Sequence, residues 1–177
     1  MATENVAISG DTSEYESLWR RRHGVRYRAY VTYRYHRRRQ RFFDLADKAT
    51  KAMTVLLGAS LMGDFVKHQL PYIASAISGL GLLALVFGYG ERKQTHKELA
   101  ESAMKLIAKI EEATINQLSD EKAGQWEAEF ARLNSREPPA LKTLVIICER
   151  EESTALGHPD LIKRPNFFKR LLADFIS

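Results

Sequence analysis

The residues best suited to bind another molecule form an arginine- and tyrosine-rich run in the first third of the chain. Before residue 52 there are twelve basic residues, ten of them arginine, against six acidic ones. Guanidinium groups bind phosphates, while tyrosines lie at membrane interfaces or stack on bases. The run could therefore dock on anionic lipid headgroups or contact nucleic acid. A third interpretation is structural, with aromatic rings packing on neighbouring helices and arginines pairing with the chain's own acids. We define the basic arm as Arg26, Arg28, Arg34, Arg37, Arg38 and Arg39.

Other chemically capable residues are too scattered to form an active site. The single cysteine, Cys148, excludes an internal disulfide, and without a second cysteine it predicts no zinc site. Gly79 and Gly81 lie inside an apolar run rather than after a strand, so they do not form a phosphate-binding loop. No metal-ligand spacing relates the five histidines, which are His23, His36, His68, His96 and His158. We therefore expect no enzyme, no metal and no cofactor.

Two apolar segments, 52–66 and 72–89, are separated by a short polar break. No charged residue occurs at positions 52–63 or 71–90. A bilayer core about 30 Å thick needs roughly 17–25 apolar residues in a helix. The second segment is therefore just long enough to cross a bilayer, and the first is barely long enough. A hairpin buried in a folded core is the alternative. Both segments are apolar around their whole circumference, which favours lipid. We predict a two-transmembrane helical hairpin over residues 52–90.

Small residues recur at helical spacing in both apolar segments. Such spacing lets helix backbones approach closely in lipid, where packing drives association. The pattern predicts tight helix contacts, either within one hairpin or between subunits. The candidate packing residues are Gly58, Ala59 and Gly63 in the first segment and Ser75, Ser78, Gly79, Ala84 and Gly88 in the second.

The polar break between the segments carries Asp64, Lys67 and His68. Asp64 and Lys67 are three residues apart and could pair on one helix face. In an assembly, the same residues could form a ring at a pore mouth. Basic residues crowd the chain before residue 52 and return at Arg92 and Lys93. By the positive-inside rule, both termini are expected in the cytoplasm and the short loop outside.

The remaining segments are predicted to be helical, giving an all-α protein. Residues 1–13 are expected to be a disordered lead, and 14–51 a helical arm, although residues 25–35 alternate as a strand would. Residues 91–118 are predicted to be a cytosolic return helix that packs on the arm. Residues 119–177 are expected to form a small helical region with helices near 120–134, 140–152 and 166–176. The return helix carries a coiled-coil-like cytosolic seam of Leu99, Ala103, Leu106, Ile110 and Ala113.

This layout resembles the SLATT domain, a two-transmembrane effector of bacterial conflict systems. The resemblance rests on the run 27–41 leading into a membrane helix at 50–52, on 125–127 through Glu137-Pro138-Pro139, and on 141–144 continuing to Cys148-Glu149. It covers roughly residues 15–176. The helix after the two prolines departs from the family pattern, since Cys148-Glu149-Arg150-Glu151 stands where a Cys-His-Asn-like run is common.

The resemblance implies a homo-oligomeric, pore-forming or membrane-perturbing protein of the bacterial inner membrane. Such an effector disables the infected cell when an antiphage system is triggered. Its implied partners are the bilayer, further copies of the chain, and a nucleotide second messenger or a sensor protein. The alternative is a non-conducting scaffold whose basic arm recruits nucleic acid or nucleotide, with nucleic acid the less favoured ligand.

Overall fold

The computed structural model describes residues 2–60 and 70–173, which form six α-helices. They contain no strand, so the prediction of an all-α protein is confirmed for this part of the chain. A 3-10 turn, Ile115–Gln117, lies between the third and fourth helices. The α-helices are α1 (Ala2–Ser60), α2 (Leu70–Phe87), α3 (Tyr89–Glu112), α4 (Asp120–Asn134), α5 (Lys142–Ala155) and α6 (Phe167–Leu171).

Several helix boundaries differ from the prediction. Helix α1 begins at Ala2, so residues 2–13, expected as a disordered lead, are helical. Helix α3 ends at Glu112 rather than near 118, because Thr114 is extended (φ −70°, ψ 163°) and starts the 3-10 turn. Helix α5 is shifted about two residues later than predicted. The end of the predicted last helix, 174–176, lies outside the described residues.

The described chain divides into two compact units. The first unit comprises Met1–His36 and Glu98–Ser177, and the second unit comprises Arg37–Lys97. Helices α1 and α3 contribute residues to both. The predicted hairpin, basic arm and return helix therefore do not coincide with the compact units.

In the first unit, α1 presents two apolar stripes to different partners. Val25 and Ala29 belong to a core cluster with residues of α3 and with Trp126 of α4. Val31 and Tyr35 belong to another cluster, with Leu144 and Cys148 of α5. Two stripes on one helix put apolar residues at every second position here, which explains the strand-like alternation of residues 25–35.

The predicted seam of α3 is buried within the first unit. Leu106 and Ile110 pack in the cluster of Val25, Ala29 and Trp126. Leu99 and Ala103 pack with Leu133 of α4. The seam thus contacts helices of the same chain, and its exposed fractions are 2% at Leu99, 0% at Ala103, 1% at Leu106, 0% at Ile110 and 7% at Ala113.

Ion pairs join α1 to the helices around it in the first unit. Arg21 binds Glu127 of α4, with Nη2 2.7 Å from Oε2, and also contacts Asp120. The bond to Arg21 lowers the pKa of Glu127. Arg26 pairs with Glu111 of α3. The pair of Arg26 with Glu111 fits the structural interpretation, in which arginines of the arm pair with the chain's own acids.

Candidate membrane span and the junction beside it

Helix α2 is apolar, and the described residues of its most apolar window include no buried one. Within Leu70–Glu112, an 18-residue window has a mean hydropathy of 2.0, and none of it is buried. Exposed fractions are 63% at Leu82, 79% at Leu85 and 73% at Val86. Among the described residues this is the one helix long and apolar enough to cross a membrane.

The first predicted span is described only in part. Residues 52–60 form the end of α1, and Val55 and Leu56 are exposed by 69% and 66%. Residues 61–69 lie outside the described part of the chain. The packing residue Gly63 and the candidate pore-mouth residues Asp64, Lys67 and His68 fall there, so their predicted roles stay predictions.

Some small residues of the apolar segments have open space beside them, and others are half-buried. A Cβ atom built on Gly58, Gly79 or Gly81 meets no neighbouring atom within 4 Å. The hydroxyl of Ser75 donates a hydrogen bond to the carbonyl of Pro71 in the same helix, at 2.8 Å. Ala59 and Ser78 are exposed, while Ala84 and Gly88 are half-buried. Gly58 and Gly79 therefore make no close helix contact with the described part of the chain.

Gly88 separates α2 from α3 with a left-handed backbone (φ +53°). Its N–H donates to the carbonyl of Ala84, and its own carbonyl accepts from the N–H of Arg92. Backbone hydrogen bonds of helical spacing thus continue across the junction although φ of Gly88 is left-handed. A left-handed φ at low cost requires glycine. The backbone conformation at position 88 therefore favours glycine, in addition to the packing role that the small-residue pattern predicts.

Beside this junction, a cluster of rings and cations surrounds Phe43 of α1. Phe43 is 4% exposed and stacks on His96 of α3, with ring centroids 5.5 Å apart. Arg39 lies over the same ring at 4.6 Å, and Arg92 lies over it at 5.9 Å. Tyr89 contacts Phe43 at 6.5 Å between centroids. We call these five residues the junction cluster. They join α1 to α3 within the second unit.

Asp44, next to Phe43, adds an ion pair between the same two helices. Its carboxylate lies 2.6 Å from Nζ of Lys93 in α3 and 2.7 Å from Nζ of Lys48 in α1. The hydrogen bonds from Lys48 and Lys93 lower the pKa of Asp44 to about 2. The bond to Asp44 also raises the pKa of Lys93. The carboxylate is thus held ionised between two ammonium groups.

Every residue of the basic arm makes a contact within the chain. Arg26 pairs with Glu111, and Arg34 pairs with Glu152 at 2.8 Å. Arg28 lies over the ring of Phe130, and Arg37 donates to Gln40. Arg39 lies over Phe43, and Arg38 also has an interaction partner. Of the alternatives left open by the sequence, these contacts favour the structural one.

The junction cluster was not predicted from the sequence. His96 was one of five scattered histidines there, and no role was predicted for Phe43 or Asp44. A usable signal was present, since aromatic and basic residues just outside an apolar segment are typical of a membrane interface. This signal does not indicate which helix packs against Phe43, because that depends on how α1 and α3 pair in the fold.

Comparison of the chain with protein-family models, curated proteins and solved structures finds no match.

Proposed function

We propose that this chain is an oligomeric membrane effector of the SLATT type, which permeabilises the bacterial inner membrane when a nucleotide-linked antiphage system is triggered. The observation that carries the proposal is the exposure of α2. A helix with a mean hydropathy of 2.0 and no buried residue in its 18-residue window would be costly in water. In a lipid bilayer the apolar surface of α2 is removed from water, so this cost is avoided.

In this proposal, residues 52–66 form a second span antiparallel to α2. The end of α1 is apolar and exposed at Val55 and Leu56, as a lipid-facing helix requires. Basic residues flank the proposed hairpin at Lys48, Lys51 and Arg92. The expected orientation therefore keeps both termini in the cytoplasm.

Oligomerisation is proposed because one hairpin cannot enclose water. A conducting path needs helices from several subunits around a common axis. The open space at Gly58 and Gly79 leaves their backbones accessible to a close helix contact with a second copy. The seam Leu99–Ala113 is already occupied within the chain, so we do not assign it to the subunit interface.

The test is ion and dye flux from liposomes carrying the purified protein. We expect Gly79→Leu to reduce flux, because the added side chain would hold neighbouring helices apart. Gly90→Leu serves as the matched control, since its Cβ also meets open space but lies outside the apolar segment. If the liposomes stayed ion-tight at high protein loading, the proposal of a pore would be ruled out.

The alternative, a non-conducting scaffold that binds nucleic acid through the basic arm, has less support. The arm's arginines already have partners within the chain. It predicts RNA or DNA binding that weakens steeply with salt and is lost on neutralising Arg37, Arg38 and Arg39. Such binding without liposome leakage would favour the scaffold over the pore.

A further inference from the structure

A cavity of about 450 Å³ in the first unit is lined by four arginines. Arg34 comes from α1 and Arg150 from α5, while Arg164 belongs to the segment after α5 and Arg170 to α6. Four guanidinium groups brought to one cavity from four segments make an unusual concentration of positive charge. The volume lies within the range of about 300–1,000 Å³ that is typical of small-molecule sites.

Two of these arginines are held in position by the protein. The side chain of Arg34 donates to Glu152, whose carboxylate is 5% exposed, at 2.8 Å. Arg150 donates to the backbone carbonyl of Ile162, which ties the segment after α5 back onto that helix. These contacts orient the two side chains before any ligand arrives, which reduces the entropic cost of binding.

The other two arginines are available. Arg164 and Arg170 are exposed and make no ion pair with a residue in the described part of the chain. Glu151 also lines the cavity. Among the described residues that line the cavity or bind its arginines, four guanidinium groups face two carboxylates, those of Glu151 and Glu152. The cavity therefore carries an excess of positive charge.

Three carbonyl groups at the end of α5, beside the cavity, are hydrogen-bonded. The carbonyls of Glu152, Ser153 and Thr154 accept from the N–H groups of Leu156, His158 and Gly157, respectively. Gly157 makes this closure possible because its backbone is left-handed (φ +87°). These bonds reduce the number of unpaired carbonyl oxygens that the helix end presents to an anion.

We propose that this cavity binds the phosphate groups of a small ligand. The planar guanidinium fork matches phosphate oxygens in a two-bond geometry, and several arginines together suit a ligand with more than one phosphate charge. Ile147 and Pro165 add an apolar wall against which the rest of the ligand can lie. The proposal rests on the first unit alone and does not require α2 to cross a membrane.

The phosphate could belong to a free nucleotide-like molecule or to a phospholipid headgroup. The second source is considered because Phe167 and Phe168, beside the cavity, are 71% and 75% exposed. Exposed aromatic rings next to basic residues are typical of contact with an anionic bilayer. The shared chemistry is phosphate recognition, and the experiment separates the two sources.

The test measures binding to the full-length protein in phosphatidylcholine nanodiscs by isothermal titration with inorganic triphosphate and, separately, with ATP. A parallel arm compares its thermal unfolding in nanodiscs with and without phosphatidic acid. The test variant is Arg164→Ala with Arg170→Ala. The control is Lys163→Ala with Lys169→Ala, which removes the same charge from neighbouring positions that do not line the cavity.

We expect saturable binding of triphosphate or ATP, weakened about 100-fold in the arginine variant and little changed in the lysine variant. Stabilisation by phosphatidic acid alone, with the same dependence on the two arginines, would assign the phosphate to lipid. Equal losses in both variants would overturn the proposal, because they would indicate general charge attraction. The proposal would also be overturned if neither ligand binding nor stabilisation by phosphatidic acid were observed.

A second measurement on the wild-type protein does not depend on the variants' folding. Arginines are modified with phenylglyoxal in the presence and absence of triphosphate, or of phosphatidic acid, and located by mass spectrometry. We expect the bound phosphate to protect Arg164 and Arg170 but not the exposed Arg20, which lies far from them in sequence and does not line the cavity. Equal modification of all three with either phosphate source would contradict the site.

Discussion

Asp44 shows how single residues join the helices of the second unit. Its carboxylate bridges Lys48 on its own helix and Lys93 on α3, and these bonds lower its pKa to about 2 from 3.8. Asp47, one turn along, pairs with Lys51 of its own helix. The two acids have similar neighbours in sequence, but only the structure distinguishes the interhelical pair from the local one.

We predict that Asp44→Asn lowers the thermal midpoint at neutral pH by a few degrees, and that Asp47→Asn has a smaller effect. Since the pKa of Asp44 is lower in the folded state, its stabilisation is complete above pH 4. It is lost as the pH falls from about 4 to about 2. The midpoint, followed by circular dichroism in detergent between pH 2 and 7, should therefore fall less on acidification in Asp44→Asn. The same pH profile in wild type and Asp44→Asn would contradict this role.

At the scale of the helix, the seam of α3 illustrates what a sequence pattern can predict. The spacing of Leu99 through Ala113 indicates one apolar face, and all five of these residues are buried in the structure. The pattern could not identify the partner, because a seam of spacing three and four fits a second copy or another helix equally well. In this structure α1 and α4 cover it.

We predict that Leu106→Ala costs about 2–5 kcal/mol of unfolding free energy, because it leaves a cavity in a well-packed cluster. Met104→Ala on the same helix is the control, since Met104 is 37% exposed and should cost about 1 kcal/mol or less. Denaturant unfolding in detergent, followed by circular dichroism, measures both. Similar costs for the two variants would show that the seam is not packed as described.

Gly88 offers a second test at this scale. We predict that Gly88→Ala destabilises the α2–α3 junction by roughly 1–2 kcal/mol, because its φ of +53° strains a residue with a Cβ. Gly90→Ala should instead be neutral or stabilising by about 0.5–1 kcal/mol, since it replaces glycine inside a helix with open space around it. Unfolding free energies of the two variants in the same detergent provide the comparison. Equal effects would mean that the left-handed turn is absent in solution.

At the scale of the molecule, composition and periodicity predict a wholly helical chain with a hairpin of two membrane spans. The described residues are helical throughout their regular structure, and one helix among them is long and apolar enough to span. The boundaries were less predictable: α3 ends at Glu112 because the backbone at Thr114 is extended, a local choice that the helical composition does not indicate. The arginine-lined cavity was not predictable either. Arg34 and Arg164 are 130 positions apart, and only the tertiary fold brings them to one cavity.

Spin labels along α2 measure most directly whether this helix lies in lipid. The labels are attached to single cysteines introduced into the Cys148→Ala variant, and the labelled protein is reconstituted in liposomes. Labels at Ser78 and Leu82 report mid-helix depth, and a label at Glu101 of α3 serves as the water-exposed control. We predict that collisions with oxygen, which concentrates in lipid, exceed those with a water-soluble nickel complex at 78 and 82, with the reverse at 101. Nickel-dominated collisions at all three positions would contradict a membrane-spanning α2.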